Sequence, residues 1–196
     1  MEPKIRSYYR ELRSQLDLPA SIALTWARER QTLEEKIAKL GIEWREDRGT
    51  ETASWFQSGF DLVAVLDYDE ETWWTVGEAV YGRFSDQWQP GAIRHNGGVR
   101  ECRWFIPADP RQGHECYRKA VRYGRDWWYV VLTVKAFMHG VLLARKSLGG
   151  MEYNLDMPSS ERELVFSQAA LELAGQVIPQ AKTKLRELCA DTLCAA

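Results

Sequence analysis

Apolar residues recur every three or four positions over roughly the first forty residues and then begin to alternate, so the chain reads as helices followed by strands. Ile5, Tyr8, Tyr9, Leu12 and Leu16 form one stripe and predict a short amphipathic helix over 4–16. Asp17-Leu18-Pro19 ends it, and Pro19 suits the first position of a second helix, where a missing N–H costs nothing. That helix runs to about Leu40, with Ile22, Trp26, Leu33, Ile37 and Leu40 as its apolar face and Gly41 as its stop. The pair reads as a helical hairpin.

Alternation from Ile42 predicts a strand near 42–48, and the apolar run Phe60–Tyr68 predicts a clearer one. Weaker strands are expected near 73–84 and 100–106, separated by a Gly/Pro/Asn-rich loop over 89–98. Pro107 to Gly124 reads as a helix. Trp127–Phe137 is the strongest strand signal, and His139-Gly140 turns it into Val141–Lys146 as a hairpin. Ser147 to Asn154 reads as a glycine-bearing connection. Ser159 or Ser160 is expected to cap a C-terminal helix, with Glu163 completing a capping box after Ser160. Pro179 is expected to interrupt that helix, leaving a second or kinked segment to about Leu193. The order predicts one α+β domain over 1–196: a helical hairpin (1–41), a largely antiparallel mixed sheet of about five or six strands with an inserted helix (42–146), and C-terminal helices (159–194).

Charge changes this picture more than composition does. The chain has 196 residues, is 45% hydrophobic and 28% charged, and carries a net charge of only −2. Residues 51–90 nevertheless hold eight acidic side chains against one base, Arg83, while residues 91–150 hold eleven Lys/Arg against four Asp/Glu. Seven of the nine tryptophans lie between Trp55 and Trp128, in the same stretch. Polarised charge with dense aromatics is what a recognition surface needs, and equally what a sheet needs when an acidic strand lies beside a basic one. No apolar run approaches the ~20 residues of a membrane span. Absence of an apolar leader and only four cysteines point to a reduced, cytoplasmic compartment.

Three groups of residues carry candidate chemistry. Asp67, Asp69, Glu70 and Glu71 close a buried-looking strand and, with Trp73 and Trp74, form the candidate partner-binding surface. Asp67 and Asp69 alone would be the start of a Mg²⁺ site in a metal-dependent enzyme, the weaker alternative, and a solvated acidic turn is the favoured reading of the cluster. Arg118, Arg122 and Arg125 share one helix face among interleaved aromatics and form the candidate nucleic-acid or nucleotide site, unless they pair with acids of the same chain. His95, Cys102, His114 and Cys116 are metal-ligand types at no usual spacing. The pairs Trp73-Trp74 and Trp127-Trp128 should each send one ring inward and one outward. No nucleophile elbow, phosphate loop or dinucleotide fingerprint occurs, so the pattern names no catalytic residue, metal ligand or cofactor.

Tyr8-Tyr-Arg-Glu-Leu-Arg13, Ala23-Leu-Thr-Trp-Ala-Arg28, the acidic-aromatic centre and Ser147-Leu-Gly-Gly-Met-Glu152 before an Ala/Leu-rich helix resemble, in order and composition, small uncharacterised proteins of bacteriophages and plasmids. Gly149 stands where that pattern leads one to expect Trp. The resemblance implies an accessory product of a mobile element, a setting where inhibitors of host defence, anti-CRISPR proteins among them, are common. The expectation is therefore a non-enzymatic protein that binds a host protein or complex. Nucleic acid is the alternative partner, no membrane is involved, and self-association is left open.

Overall fold

The computed structural model describes residues 2–16, 19–47, 50–70, 80–96 and 102–194. Helices α1 (Pro3–Leu16) and α2 (Ala20–Leu40) form the expected hairpin. Gly41 ends α2 in the left-handed conformation (φ 64°). Its N–H bonds the Ala38 carbonyl and the Ile42 N–H bonds that of Ile37, a Schellman closure. A polar clamp joins the helices: Glu34 takes the Tyr8 hydroxyl and Lys4 (2.6 Å), while the Arg30 guanidinium lies 4.4 Å from the Tyr8 ring centre. The buried stripe of α2 differs from the expected one. Ala23 and Ala27 are fully buried, whereas Ile22 and Trp26 are exposed. Small side chains let α2 approach its neighbours, α1 and the strand Thr50–Gln57, and that closeness outranks side-chain size.

Five strands build the main antiparallel sheet: β1 (Trp44–Asp47), β2 (Thr50–Gln57), β3 (Phe60–Tyr68), β4 (Trp127–Met138) and β5 (Val141–Asn154), in that spatial order. β2 is absent from the sequence reading, because its Thr-Glu-Thr-Ala-Ser-Trp buries only Ala53 and Trp55 and leaves no apolar run. It pairs with β3 from Glu51↔Leu66 to Gln57↔Phe60. Both tight turns, Ser58-Gly59 and His139-Gly140, have positive φ at both residues, as two-residue hairpins that match strand twist require. β5 runs eight residues past Lys146, so the supposed connection Ser147–Asn154 is strand. A three-stranded sheet is formed by β6 (Gly82–Ser85), β7 (Ile93–Arg94) and β8 (Trp104–Pro107), with β8 in the middle. β7 lies inside the expected 89–98 loop. It is two residues long, too short for any periodicity to show.

Helix α3 (Gly113–Arg122) is shorter than the expected Pro107–Gly124. Pro107 belongs to β8, and a 3-10 turn over Pro110–Gln112, capped by the Asp109 carboxylate on the Arg111 N–H (2.9 Å), leads into it. The last helix, α4 (Ser159–Cys194), is continuous through Pro179. An internal proline costs about 3 kcal/mol, and here Ala170, Leu173, Ala174, Val177, Ile178 and Ala181 are buried on both sides of it, so packing offsets the lost bond. Among the described residues no serine side chain is seen bonding the first turn of this helix. The Pro158 carbonyl already accepts from Glu161 and Arg162, which puts Ser160 inside the first turn.

The chain divides into two units. Unit 1 comprises Met1–Leu66, Leu132–Leu148 and Glu163–Ala196; unit 2 comprises Asp67–Val131 and Gly149–Arg162. In unit 1 alternate residues of β3 (Phe60, Leu62, Ala64, Leu66) and β4 (Leu132, Val134, Ala136) are buried with the apolar stripe of α4. The one buried hydroxyl of that stripe, Ser167, accepts a hydrogen bond from Trp44 Nε1 at 2.9 Å. Unit 2 has an aromatic core: Phe84, Phe105, Tyr123, Trp127 and Tyr129 with Cys116 and Ala120.

Candidate functional site

The acidic end of β3 is the first candidate, and alternation along the strand does not survive there. Asp67 and Glu70 are exposed and Tyr68 is 40% exposed, but Asp69 is only 3% exposed. Strand pairing explains the inward turn. The Asp69 N–H bonds the Tyr129 carbonyl on β4 (3.0 Å), and its Oδ2 accepts the Gly150 N–H of β5 at 2.7 Å. Gly150 has a φ of 71°, a conformation that costs any other residue about 1–2 kcal/mol. A Cβ at Gly149 would lie 2.9 Å from the same carboxylate oxygen. The glycine pair is therefore the receptor for Asp69, and the two facts explain each other.

Asp69 thus fixes the backbone that presents Asp67, Tyr68 and Glu70. Burial, the hydrogen bond with Tyr123 and the Asp69 and Glu70 charges push the Tyr68 phenol well above its ordinary range, so it stays neutral between two carboxylates. Asp67 is exposed and Asp69 is buried, so the two carboxylates sit in different environments. Among the described residues no group of three His, Cys, Asp or Glu side chains is placed to hold a metal, His95, Cys102, His114 and Cys116 included. Glu71, Trp73 and Trp74 lie outside the described residues.

Second, the arginine face. Arg122 bonds Asp126 and Asp156, both at 2.6 Å; Arg125 meets Asp126 at 3.0 Å; Arg118 lies 3.8 Å from Glu115. These acids come from outside 51–90, so the arginines pair locally on α3 and its flanks and not with the acidic block. Two guanidinium donors hold the Asp126 carboxyl down at about 2, Arg125 first and Arg122 second. Arg118 and Arg125 remain largely exposed, whereas Arg122 is spent on two carboxylates.

A third cluster was not legible in the sequence. Lys119 Nζ is 2.8 Å from the Tyr81 hydroxyl and 3.5 Å from Glu152, the Tyr81 hydroxyl donates to Glu152, and the ammonium sits 4.7 Å from the Tyr81 ring centre. Burial opposes the Lys119 charge, but the Tyr81 hydrogen bond and the Glu152 charge outweigh it and raise the lysine. Burial, aided by the hydrogen bond to Glu152, raises Tyr81 as well. Neither group is poised to exchange a proton near neutrality, so the cluster is a brace and not an acid–base pair. Its three residues are 38 and 33 positions apart, beyond any local spacing rule.

Of the tryptophan pairs, Trp127 is buried and donates from Nε1 to the Lys119 carbonyl (2.8 Å), while Trp128 stacks on Tyr153 at 4.8 Å, itself covered by Arg162. Neither ring leaves a bare apolar patch. His95 is buried between Phe84 and Tyr117, its Nδ1 3.0 Å from the Tyr117 hydroxyl and its Nε2 without a partner among the described residues. Cys102, Cys116 and Cys189 are free thiols. No helix among the described residues is long and apolar enough to cross a membrane. Comparison with known proteins finds no matching family, no similar curated protein and no matching solved structure.

Proposed function

We propose that the chain is a non-catalytic binding protein whose contact surface is the acidic, aromatic end of β3. One observation carries the reading: Asp69 is buried, with its side chain anchored to the Gly150 N–H and its own N–H to the Tyr129 carbonyl, so its neighbours Asp67, Tyr68 and Glu70 are displayed on a backbone held at two points. A rigid aromatic between carboxylates suits a basic protein surface, since little order remains to be lost on docking and charge speeds the encounter. Carboxylates spaced along a strand can also occupy a channel that normally takes phosphates. The resemblance to phage and plasmid accessory proteins makes a host defence protein the partner class to test first. Glu71, Trp73 and Trp74, which the sequence pattern groups with these residues, lie outside the described residues.

The test compares capture by the tagged chain and by its Asp67→Lys/Glu70→Lys variant from bacterial lysate, with and without nuclease. A stoichiometric protein that survives nuclease and is lost with the variant is the expected result. Recovery that nuclease abolishes transfers the function to Arg118, Arg122 and Arg125. Capture unchanged by the charge reversal removes the β3 end from consideration.

A further inference from the structure

The two edges of the five-stranded sheet are protected unequally. β1 is four residues long and ends on Glu46-Asp47, the short, charged kind of edge that discourages pairing. β5, at the opposite edge, is fourteen residues long. Its 141–148 stretch lies within unit 1, and no described strand pairs with its outer side. Side chains of both parities are exposed there, Val141 at 56%, Leu142 at 46% and Leu148 at 44%. Arg145 and Lys146 are exposed between them and make no ion pair among the described residues. Inward, the strand is fixed: the Ser147 and Thr133 hydroxyls meet at 2.8 Å, and the His139-Gly140 turn sets the hairpin.

An edge of this kind is a preformed template. About 25 Å of extended backbone offers N–H and C=O groups that no described strand takes, apolar side chains stand at both ends, and two positive charges stand in the middle. We propose that β5 takes an additional strand along 141–148, and that the strand it takes is an extended acidic segment of a partner protein. Backbone hydrogen bonds supply the attachment, Leu142 and Leu148 supply apolar contact, and Arg145 with Lys146 select the sign of the incoming side chains. Charge rules against a second copy. Two β5 strands paired antiparallel across this stretch would bring each Arg145-Lys146 pair within cross-strand reach of the other.

The probe is a blocked ten-residue peptide alternating valine and glutamate, with a valine–lysine peptide as its counterpart, titrated against the full chain by fluorescence anisotropy. Amide hydrogen exchange is followed in the same samples. The acidic peptide should bind and slow exchange across 141–148, and the lysine peptide should not. Arg145→Gln/Lys146→Gln should weaken the acidic peptide, and Arg145→Glu/Lys146→Glu should weaken it by about tenfold and admit the lysine peptide. Binding of neither peptide, equal binding of both, or protection outside β5 overturns the proposal. So does protection of 141–148 that grows with protein concentration alone, which would make a second copy the occupant.

Discussion

The two units solve the problem of burial with different materials. Unit 1 packs mainly aliphatic strand faces and small helix residues, Leu62, Leu132, Val134, Ala170, Ala174 and Val177 among them, around a few rings, Trp55, Phe60 and Phe166, and its buried Ser167 hydroxyl accepts from Trp44. Unit 2 packs ring on ring, edge to face for Tyr123–Trp127 at 4.8 Å and Trp127–Tyr129 at 5.3 Å and tilted for Phe84–Phe105 at 5.1 Å. Tyrosine and tryptophan rings carry polar tips that aliphatics and phenylalanine lack, and a buried tip needs a partner. This brings Lys119 and Glu152 beside the core of unit 2, where they meet the Tyr81 hydroxyl, and makes its stability depend on pH.

The largest blow to this contrast is a hole in either core. Phe105→Ala should cost about 3–5 kcal/mol and Leu132→Ala about 2–5 kcal/mol. Hydrogen exchange should show protection lost first in unit 2 for the former and in unit 1 for the latter. Simultaneous loss across both units in both variants would mean that one cooperative core exists and that the distinction is compositional only.

Smaller effects sharpen the role of the buried carboxylate. Asp69→Ala leaves the Gly150 N–H without its acceptor and should cost about 2 kcal/mol in urea denaturation. Gly149→Ala drives a Cβ into the carboxylate and should cost about 1–2 kcal/mol. Their double variant should lose less than the sum, because removing the carboxylate makes room for the methyl. Strict additivity would show that the glycine is required for another reason.

The tyrosine core makes a prediction about alkali. Burial pushes the Tyr129 phenol up to about 12. Its protonated form is therefore favoured in the folded state, and the corresponding stability is complete below pH 10 and drains away as pH rises through 12. Tyr129→Phe should flatten that decline by up to about 2 kcal/mol; an unchanged slope would place the alkaline sensitivity on another tyrosine. At the acid end, Asp126 is depressed to about 2. Its contribution is present above about pH 4 and lost as pH falls through 2. NMR should find the Asp126 carboxyl titrating near 2 and moving upward in Arg125→Ala, with a further rise when Arg122→Ala is added.

Much of the architecture follows from periodicity alone. The helical hairpin, β3, the β4–β5 hairpin and the C-terminal helix all carry enough regular apolar residues to declare themselves, since a repeat of 3.6 or 2 can bury only one way. Elements fixed by distant partners were hidden. β2 buries two side chains and is a strand because β1 and β3 flank it. The register of α2 was misread because Ala23 and Ala27 are chosen by closeness of approach. Ser147–Asn154 is strand despite its glycines because those glycines receive Asp69.

For the candidate site, the sequence by itself determined that acidic and aromatic residues crowd the end of β3 and that basic residues follow. Only the tertiary structure decided which of them face outward. Local sequence sets the intrinsic conformation and charge of each residue, but whether a carboxylate is displayed or consumed depends on donors contributed from far along the chain. Asp69 met an N–H at Gly150, Arg122 met Asp126 and Asp156, and Lys119 met Glu152. Asp67 and Glu70, exposed and without an ion pair among the described residues, are what that settlement left on the surface.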